Sequence, residues 1–192
     1  MTRKTKITLI VICSIMLACL LICGVGYVFF RNAAQSVAQS AAQTPEEAAA
    51  MGSEIADFKL PTGYSAQTGI NLMGVTMVFY NRPNDTKNII MLMQMPTEEE
   101  LDEAQFDQMR SQMENQSGRR LENVKTVEDR AATIRGKPGR VVVQEGTNTD
   151  GAKFRQMMVA FQGKKGLALM MIAGPAKGWN QSSLNKLIKT IK

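Results

Sequence analysis

The chain has 192 residues and a formal net charge of +6, with three cysteines and no histidine. The lack of histidine excludes the commonest general base and metal ligand, together with the Ser-His-Asp and Cys-His nucleophile systems. All three cysteines (Cys13, Cys19 and Cys23) lie in one apolar run near the N-terminus. We therefore expect no disulfide framework and no thiol chemistry in the remaining residues, which are numerous enough to bury a core without either.

A membrane-spanning helix is predicted near the N-terminus. The run Ile7–Phe30 contains 24 residues and no charge. As a helix it would be about 36 Å long, which exceeds the roughly 30 Å of a bilayer core. Three basic residues precede the run, at positions 3, 4 and 6, and only Arg31 follows it closely. By the positive-inside rule, this asymmetry places residues 1–6 in the cytoplasm and the C-terminal part of the chain outside it.

Two processing events are alternatives to a retained anchor. Alanines at positions 33, 34, 38 and 42 offer small-residue sites for signal-peptide cleavage, although the apolar run is longer than a signal-peptide core. The sequence Met16-Leu17-Ala18-Cys19 resembles a lipoprotein box with Cys19 as the lipidated residue, although eleven apolar or small residues follow it. A retained anchor explains the full length of the run, and an apolar environment explains Cys19.

Residues 31–57 are predicted to form a linker and a short helix. The segment Asn32–Gln43 is uncharged and rich in alanine, glutamine and serine. A helix start follows it, with Thr44 as N-cap, Pro45 in the first turn and Glu47 completing a capping box. This pattern predicts a helix that extends to about Asp57 and leads into a folded domain.

The predicted domain, residues 58–192, contains several strand patterns. Gly69–Tyr80 and Asn88–Met95 are rich in apolar and β-branched residues and predict two antiparallel strands, with turn residues at 81–85 between them. Four later strands are predicted over Val124–Ile134, Arg140–Glu145, Lys153–Phe161 and Gly166–Ala173. Short turns containing glycine, including 136–139 and 163–166, join these strands as hairpins.

Two helices complete the predicted domain. The first follows a capping box that begins at Thr97 and extends to about Ser117. Its apolar face is formed by Leu101, Phe106, Met109 and Met113. The second closes the chain, and its helical period is carried by Leu184, Leu187, Ile188 and Ile191. The predicted class is therefore α+β, with one antiparallel sheet and helices packed on it.

Several positions of this domain match the pattern of a known family. Phe58–Tyr64 reads F-x-x-P-x-G-aromatic, and Trp179 precedes a terminal helix. The Gly136–Gly139 bend and the Asp150-Gly151 turn with Phe154 have a similar order and spacing. Together these features resemble PsbP-like domains from Phe58 to the C-terminus. The resemblance implies an α/β/α sandwich and a non-catalytic binding or assembly role, and it assigns no site residue.

Methionine is unusually frequent, with fourteen residues. Met91, Met93 and Met95 alternate along one predicted strand, so we expect them to share one face of the sheet and to pack in the core. Thioethers are also soft ligands, and an extracytoplasmic methionine cluster could bind Cu(I). No histidine or cysteine accompanies these methionines, which favours core packing.

Charge is distributed unevenly along the domain. Residues 98–114 carry seven acids, which suit the start of a solvated helix, whereas basic residues predominate after residue 118. The basic part is compatible with ordinary surface charge or with an anionic lipid, polymer or protein partner. The glycine and lysine turns at 136–139 and 163–166 lack the spacing of a phosphate-binding loop. Nucleic acid is a poor fit, since few aromatics accompany the charges.

These observations predict a membrane-tethered, extracytoplasmic binding or assembly module without catalytic activity. The predicted layout is a cytoplasmic tail (1–6), a transmembrane helix (7–30), a linker with a short helix (31–57) and an extracytoplasmic α+β domain (58–192). We assign no catalytic, cofactor-binding or metal-binding residue. The expected partners are the lipid bilayer, through Ile7–Phe30, and another envelope protein or an anionic surface. A methionine-rich copper-handling protein is the alternative function.

Overall fold

A computed structural model describes Ala42 and residues 44–97, 122–148 and 150–192. The predicted membrane span (7–30) and most of the predicted helix that begins near Thr97 lie outside these residues. Neither helix within the described ranges is long and apolar enough to span a bilayer. Residues Ala41–Lys192 form one compact unit.

The first helix, α1, spans Pro45–Ile55 and starts as the sequence predicts. The side-chain oxygen of Thr44 accepts a hydrogen bond from the backbone N–H of Glu47 at 3.2 Å. This contact satisfies one of the N–H groups that a helix start leaves without an acceptor. Ala48 and Ile55 are fully buried in the core cluster. The helix is therefore part of the folded unit, which starts ahead of the predicted boundary at Phe58.

A seven-stranded antiparallel sheet forms the centre of the unit. Its strands are β1 (Ser65–Leu72), β2 (Val75–Arg82), β3 (Asp85–Met95), β4 (Glu122–Ile134), β5 (Lys137–Thr147), β6 (Lys153–Gln162) and β7 (Leu167–Pro175). Their order across the sheet is β1-β2-β3-β7-β6-β5-β4. Sequential hairpins thus build two halves, and the pairing of β3 with β7 joins them at the centre.

Two hairpin turns differ from the sequence-based prediction. The run Gly69–Tyr80, predicted as one strand, is divided by a two-residue turn at Met73-Gly74, where both residues have positive φ (52° and 83°). Such angles suit a tight hairpin, and glycine reaches them without steric cost. The β4–β5 turn lies at Arg135-Gly136, which also have positive φ. The predicted turn residues from Lys137 onward therefore belong to β5.

The sheet has a core cluster on each face. One cluster contains inward residues of the strands together with residues of α1 and of the last helix, α2 (Gln181–Lys189). The predicted apolar period of α2 is confirmed, because Leu184, Leu187, Ile188 and Ile191 are all buried there. Both described helices therefore pack on the same face. The opposite face contains a smaller cluster, which includes Met91, Met158 and Met171.

Candidate functional site

A cleft of about 250 Å³ opens at one end of the sheet. At this end β2 turns into β3, β7 finishes, and the chain passes through residues 176–180 into α2. Its lining comes from four separate parts of the sequence: Pro61, Tyr64, Arg82, Asn88, Ile172, Ala173, Lys177, Gly178, Trp179, Asn180, Ser183 and Leu184. Apolar side chains and polar donors therefore meet in one concave site, as is usual for small-molecule pockets.

Arg82 and Tyr64 form one wall of the cleft. The guanidinium carbon of Arg82, at the end of β2, lies 5.0 Å from the centre of the Tyr64 ring, in cation–π geometry. Burial raises the pKa of the Tyr64 hydroxyl above its ordinary value, and the positive charge of Arg82 opposes this rise without cancelling it. Tyr64 therefore stays neutral at physiological pH and keeps a hydroxyl that both donates and accepts hydrogen bonds.

The β2–β3 turn is organised by Asp85. One carboxylate oxygen of Asp85 accepts hydrogen bonds from the backbone N–H groups of Lys87 (3.1 Å) and Asn88 (3.2 Å). The other oxygen accepts one from the Asn88 side-chain amide at 2.7 Å. This last bond is the main reason that the pKa of Asp85 lies below its ordinary value. The carboxylate is thus engaged within its own turn, and it holds the Asn88 side chain at the wall of the cleft.

Gly174 on β7 makes the position of Asn88 possible. A Cβ atom at residue 174 would overlap the side-chain oxygen of Asn88. The absence of a side chain there lets the amide pack directly on the β7 backbone. Asn88 is therefore held on both sides, by Asp85 and by Gly174.

Trp179 forms another wall, and a polar network fixes its orientation. Its indole N–H donates to the side-chain oxygen of Gln181 at 2.7 Å. The Gln181 amide then donates to Glu128 on β4 at 3.2 Å. Glu128 also pairs with Arg130 at 2.6 Å, and Arg130 donates to Asn185 of α2 at 3.3 Å. The network links the edge strand β4 to the start of α2.

Helix α2 begins at the cleft. Asn180 is its N-cap, and its side-chain oxygen accepts a hydrogen bond from the backbone N–H of Ser183 at 2.9 Å. The first turn of α2 contains no acidic residue of its own, and the carboxylate that contacts it, Glu128, accepts a hydrogen bond from Gln181 and pairs with Arg130. Lys177, two residues before Trp179, is exposed and also lines the cleft. None of the described residues of the lining is a carboxylate.

Six basic side chains elsewhere in the described domain, four arginines and two lysines, form hydrogen bonds or ion pairs. Arg140 pairs with Asp129 at 2.8 Å, and Arg155 with Glu145 at 2.7 Å. The lysines of the 163–166 loop bind the end of α1, Lys164 at Asp57 (2.7 Å) and Lys165 at Glu54 (2.6 Å). This loop therefore attaches α1 to the sheet. These six side chains account for part of the basic excess that the sequence suggested for an anionic partner.

The methionines predicted to share a sheet face do so, and the fold adds others to them. Met91 is buried in the second core cluster and Met93 packs against it, which confirms the predicted core packing for these two. Met95 is partly exposed. Strand register also places Met158 opposite Met171, and Met171 opposite Met91. A row of three methionines on three adjacent strands results.

The sequence alone did not identify the cleft. In the sequence, Tyr64 and Trp179 stand out only as part of a family resemblance, and Lys177 is one of many basic residues. Arg82 was read as a turn residue. Each lies next to a recognisable local signal, namely a turn or a helix N-cap, but no such signal shows that these segments meet.

Comparison with known proteins supports the fold. No protein-family model matches the chain, and no curated protein sequence matches it. Among solved structures, the chain is similar to cyanobacterial PsbP (CyanoP) from Synechocystis sp. PCC 6803, with a TM-score of 0.53 and 11% sequence identity over 73% of this chain and 87% of that one. A protein of unknown function from Pseudomonas aeruginosa aligns with a TM-score of 0.41 and 6% identity over 64% of this chain and 85% of that one.

The described domain therefore has a PsbP-like fold. The sequence identity is low, so the similarity concerns the fold alone. The resemblance seen in the sequence is consistent with it, and the structure shows that Pro61, Tyr64 and Trp179, three of the residues behind that resemblance, line one cleft.

Proposed function

We propose that the chain is a membrane-tethered, extracytoplasmic binding module without catalytic activity, and that the cleft is its binding site. The uncharged run Ile7–Phe30 and the basic residues before it support the tether and its orientation. The observation that carries the binding role is the cleft itself, whose described residues include two cations, two aromatic side chains and no carboxylate.

The chemistry of the cleft favours binding over catalysis. General acid–base catalysis at neutral pH is most efficient with a group whose pKa lies near the operating pH. The chain has no histidine, the cleft residues that the structure describes include no carboxylate, and the pKa of Tyr64 is raised rather than lowered. Ser183 shares the cleft with Lys177, but no hydrogen bond joins these two side chains within the described residues.

Fluorescence of Trp179 tests this proposal directly. Trp179 is the single tryptophan of the chain and it lines the cleft, so its emission reports on occupancy. The full chain in a neutral detergent is titrated with a panel of small anionic, neutral and cationic organic compounds. We expect a saturable change with at least one class, and NMR of the recovered compound should show it unchanged. Conversion of the compound would indicate an enzyme, and constant emission across the panel would reject the cleft as a binding site.

A further inference from the structure

We propose that the ligand of this cleft is a small organic anion, whose phosphate or carboxylate oxyanion is bound by Arg82 and Lys177 and whose ring or apolar part contacts Tyr64 and Trp179. This inference rests on the proposed function and specifies its ligand class. It depends on which charges in the domain remain available and on the shape of the cleft.

Arg82 differs from the other arginines of the described domain, because its side chain donates no hydrogen bond to an acceptor within the described residues. The other four arginines in the described residues each donate to an acceptor: Arg130 to Glu128, Arg135 to Gln162, Arg140 to Asp129 and Arg155 to Glu145. Within the described residues, the Arg82 side chain forms no hydrogen bond or ion pair; it has its cation–π contact with Tyr64 and a coulombic attraction to Asp85, whose pKa it helps to lower. Its guanidinium therefore keeps a planar set of donors suited to bidentate binding of an oxyanion. The nearby Asp85 already accepts three hydrogen bonds within its own turn.

Lys177 supplies a second positive charge on the same cleft. Within the described residues it forms no hydrogen bond or ion pair, whereas Lys164 and Lys165 both pair with acids of the α1 region. The start of α2, whose first turn has no acidic residue of its own, adds a partial positive charge through Asn180 and Ser183, and the Glu128 carboxylate that contacts Gln181 is paired with Arg130. Cations without an ion-pair partner attract anions and repel other cations, and the Asp85 carboxylate near Arg82 offsets part of their positive charge.

The other residues of the cleft indicate the size and the apolar character of the part of the ligand that is not the oxyanion. Tyr64 and Trp179 offer aromatic surface, and Ile172 and Leu184 add aliphatic surface. The volume of about 250 Å³ lies below the roughly 300–1,000 Å³ typical of pockets for drug-sized ligands. A compound with one oxyanion and one ring has the required size and chemistry.

The test uses the full chain in a neutral detergent, with Trp179 emission as the readout. The probes are phenyl phosphate and benzoate as oxyanions with a ring, benzyl alcohol as the neutral analogue and benzylammonium as the cationic one. We expect saturable binding of at least one oxyanion and much weaker binding of the other two compounds. Inorganic phosphate should compete for the site.

Charge variants locate the site. Arg82→Gln and Lys177→Gln should each weaken oxyanion binding about tenfold or more, because a hydrogen bond to a charged group contributes about that factor. Arg82→Lys keeps the charge without the planar fork and should show an intermediate loss. Lys186→Gln is the matched control: it removes one exposed lysine of α2 outside the cleft and should leave the affinity unchanged. Melting curves verify that each variant is folded.

Several results would overturn the inference. If Lys186→Gln weakens binding as much as Lys177→Gln, the effect comes from overall charge and not from the cleft. If benzyl alcohol or benzylammonium saturates the emission and the oxyanions do not, the ligand is not an anion, although a binding module remains. If phosphatidylglycerol vesicles change the emission and phenyl phosphate cannot compete, the site is a bilayer contact and not a small-molecule cleft. If no probe changes the emission, the proposed function fails as well.

Discussion

Replacing Met158 with alanine should destabilise the domain by about 3 kcal/mol. Met158 is fully buried and lies between Val142 on β5 and Met171 on β7. Truncation of such a side chain costs about 2–5 kcal/mol, because the transfer free energy is lost and a cavity remains. The flanking strands keep their spacing of about 4.8 Å and cannot close the gap. The flexible Met171 side chain can fill part of it, so we expect a value in the lower half of the range.

Urea unfolding followed by circular dichroism measures this change. For a domain of this size, about 3 kcal/mol corresponds to a fall in Tm of roughly 10 °C. Met158→Leu is the control, since it preserves the apolar volume and should cost less than about 1.5 kcal/mol. Both variants are compared with the parent protein under identical conditions, and equal m-values indicate that the denatured state is unchanged.

The same pair of variants distinguishes core packing from the copper-handling alternative. Leucine removes the thioether and keeps the side-chain volume. If the row Met158–Met171–Met91 were a Cu(I) site, the Met158→Leu variant would therefore bind Cu(I) more weakly while the folded domain kept its normal stability. Competition with a Cu(I)-specific chelator measures that affinity. Our reasoning is refuted if Met158→Ala melts like the parent and Cu(I) binding disappears in both variants.

Three further predictions concern the helix interface, the topology and the domain boundary. Gly52→Ala should destabilise the domain despite the helix propensity of alanine, because a Cβ there would overlap the Tyr80 hydroxyl. Adding Tyr80→Phe removes that hydroxyl and should restore most of the stability. Equal melting temperatures of the single and double variants would contradict this prediction. Protease added to spheroplasts should digest the domain, and protection until lysis would reverse the proposed orientation. A fragment beginning at Ala41 should be soluble and should unfold cooperatively with or without reductant, since all cysteines precede it. A broad melting transition would reject Ala41 as the start of the folded domain.

The fragment should retain Ala42 because this residue already contacts the sheet. Its backbone N–H donates to the carbonyl of Gly69 at 2.7 Å, and its side chain packs on the core cluster. Deletion to Gln43 would remove both contacts while keeping α1. Comparing the melting temperatures of fragments that start at Ala41 and at Thr44 measures their combined contribution.

Local sequence signals determined much of the secondary structure. The Thr44 N-cap with Pro45 predicted the start of α1, and the apolar period around Leu184 predicted α2 and its buried face. Both signals act within one or two helical turns, where backbone geometry decides which side chains meet. The later hairpins were predictable for the same reason, although the Met73-Gly74 turn was missed because Met-Gly is not a strong turn signal.

The tertiary structure alone decided how these elements combine. Strand β3 pairs with β7, about eighty residues later, and this pairing brings Asn88 beside Gly174 and Arg82 to the cleft that α2 borders. It also aligns Met91 with Met171 and Met158. Strand order depends on the summed burial of both sheet faces rather than on any local pattern. The sequence therefore determined most of the elements and the apolar N-terminal run, whereas the cleft exists only because distant segments meet.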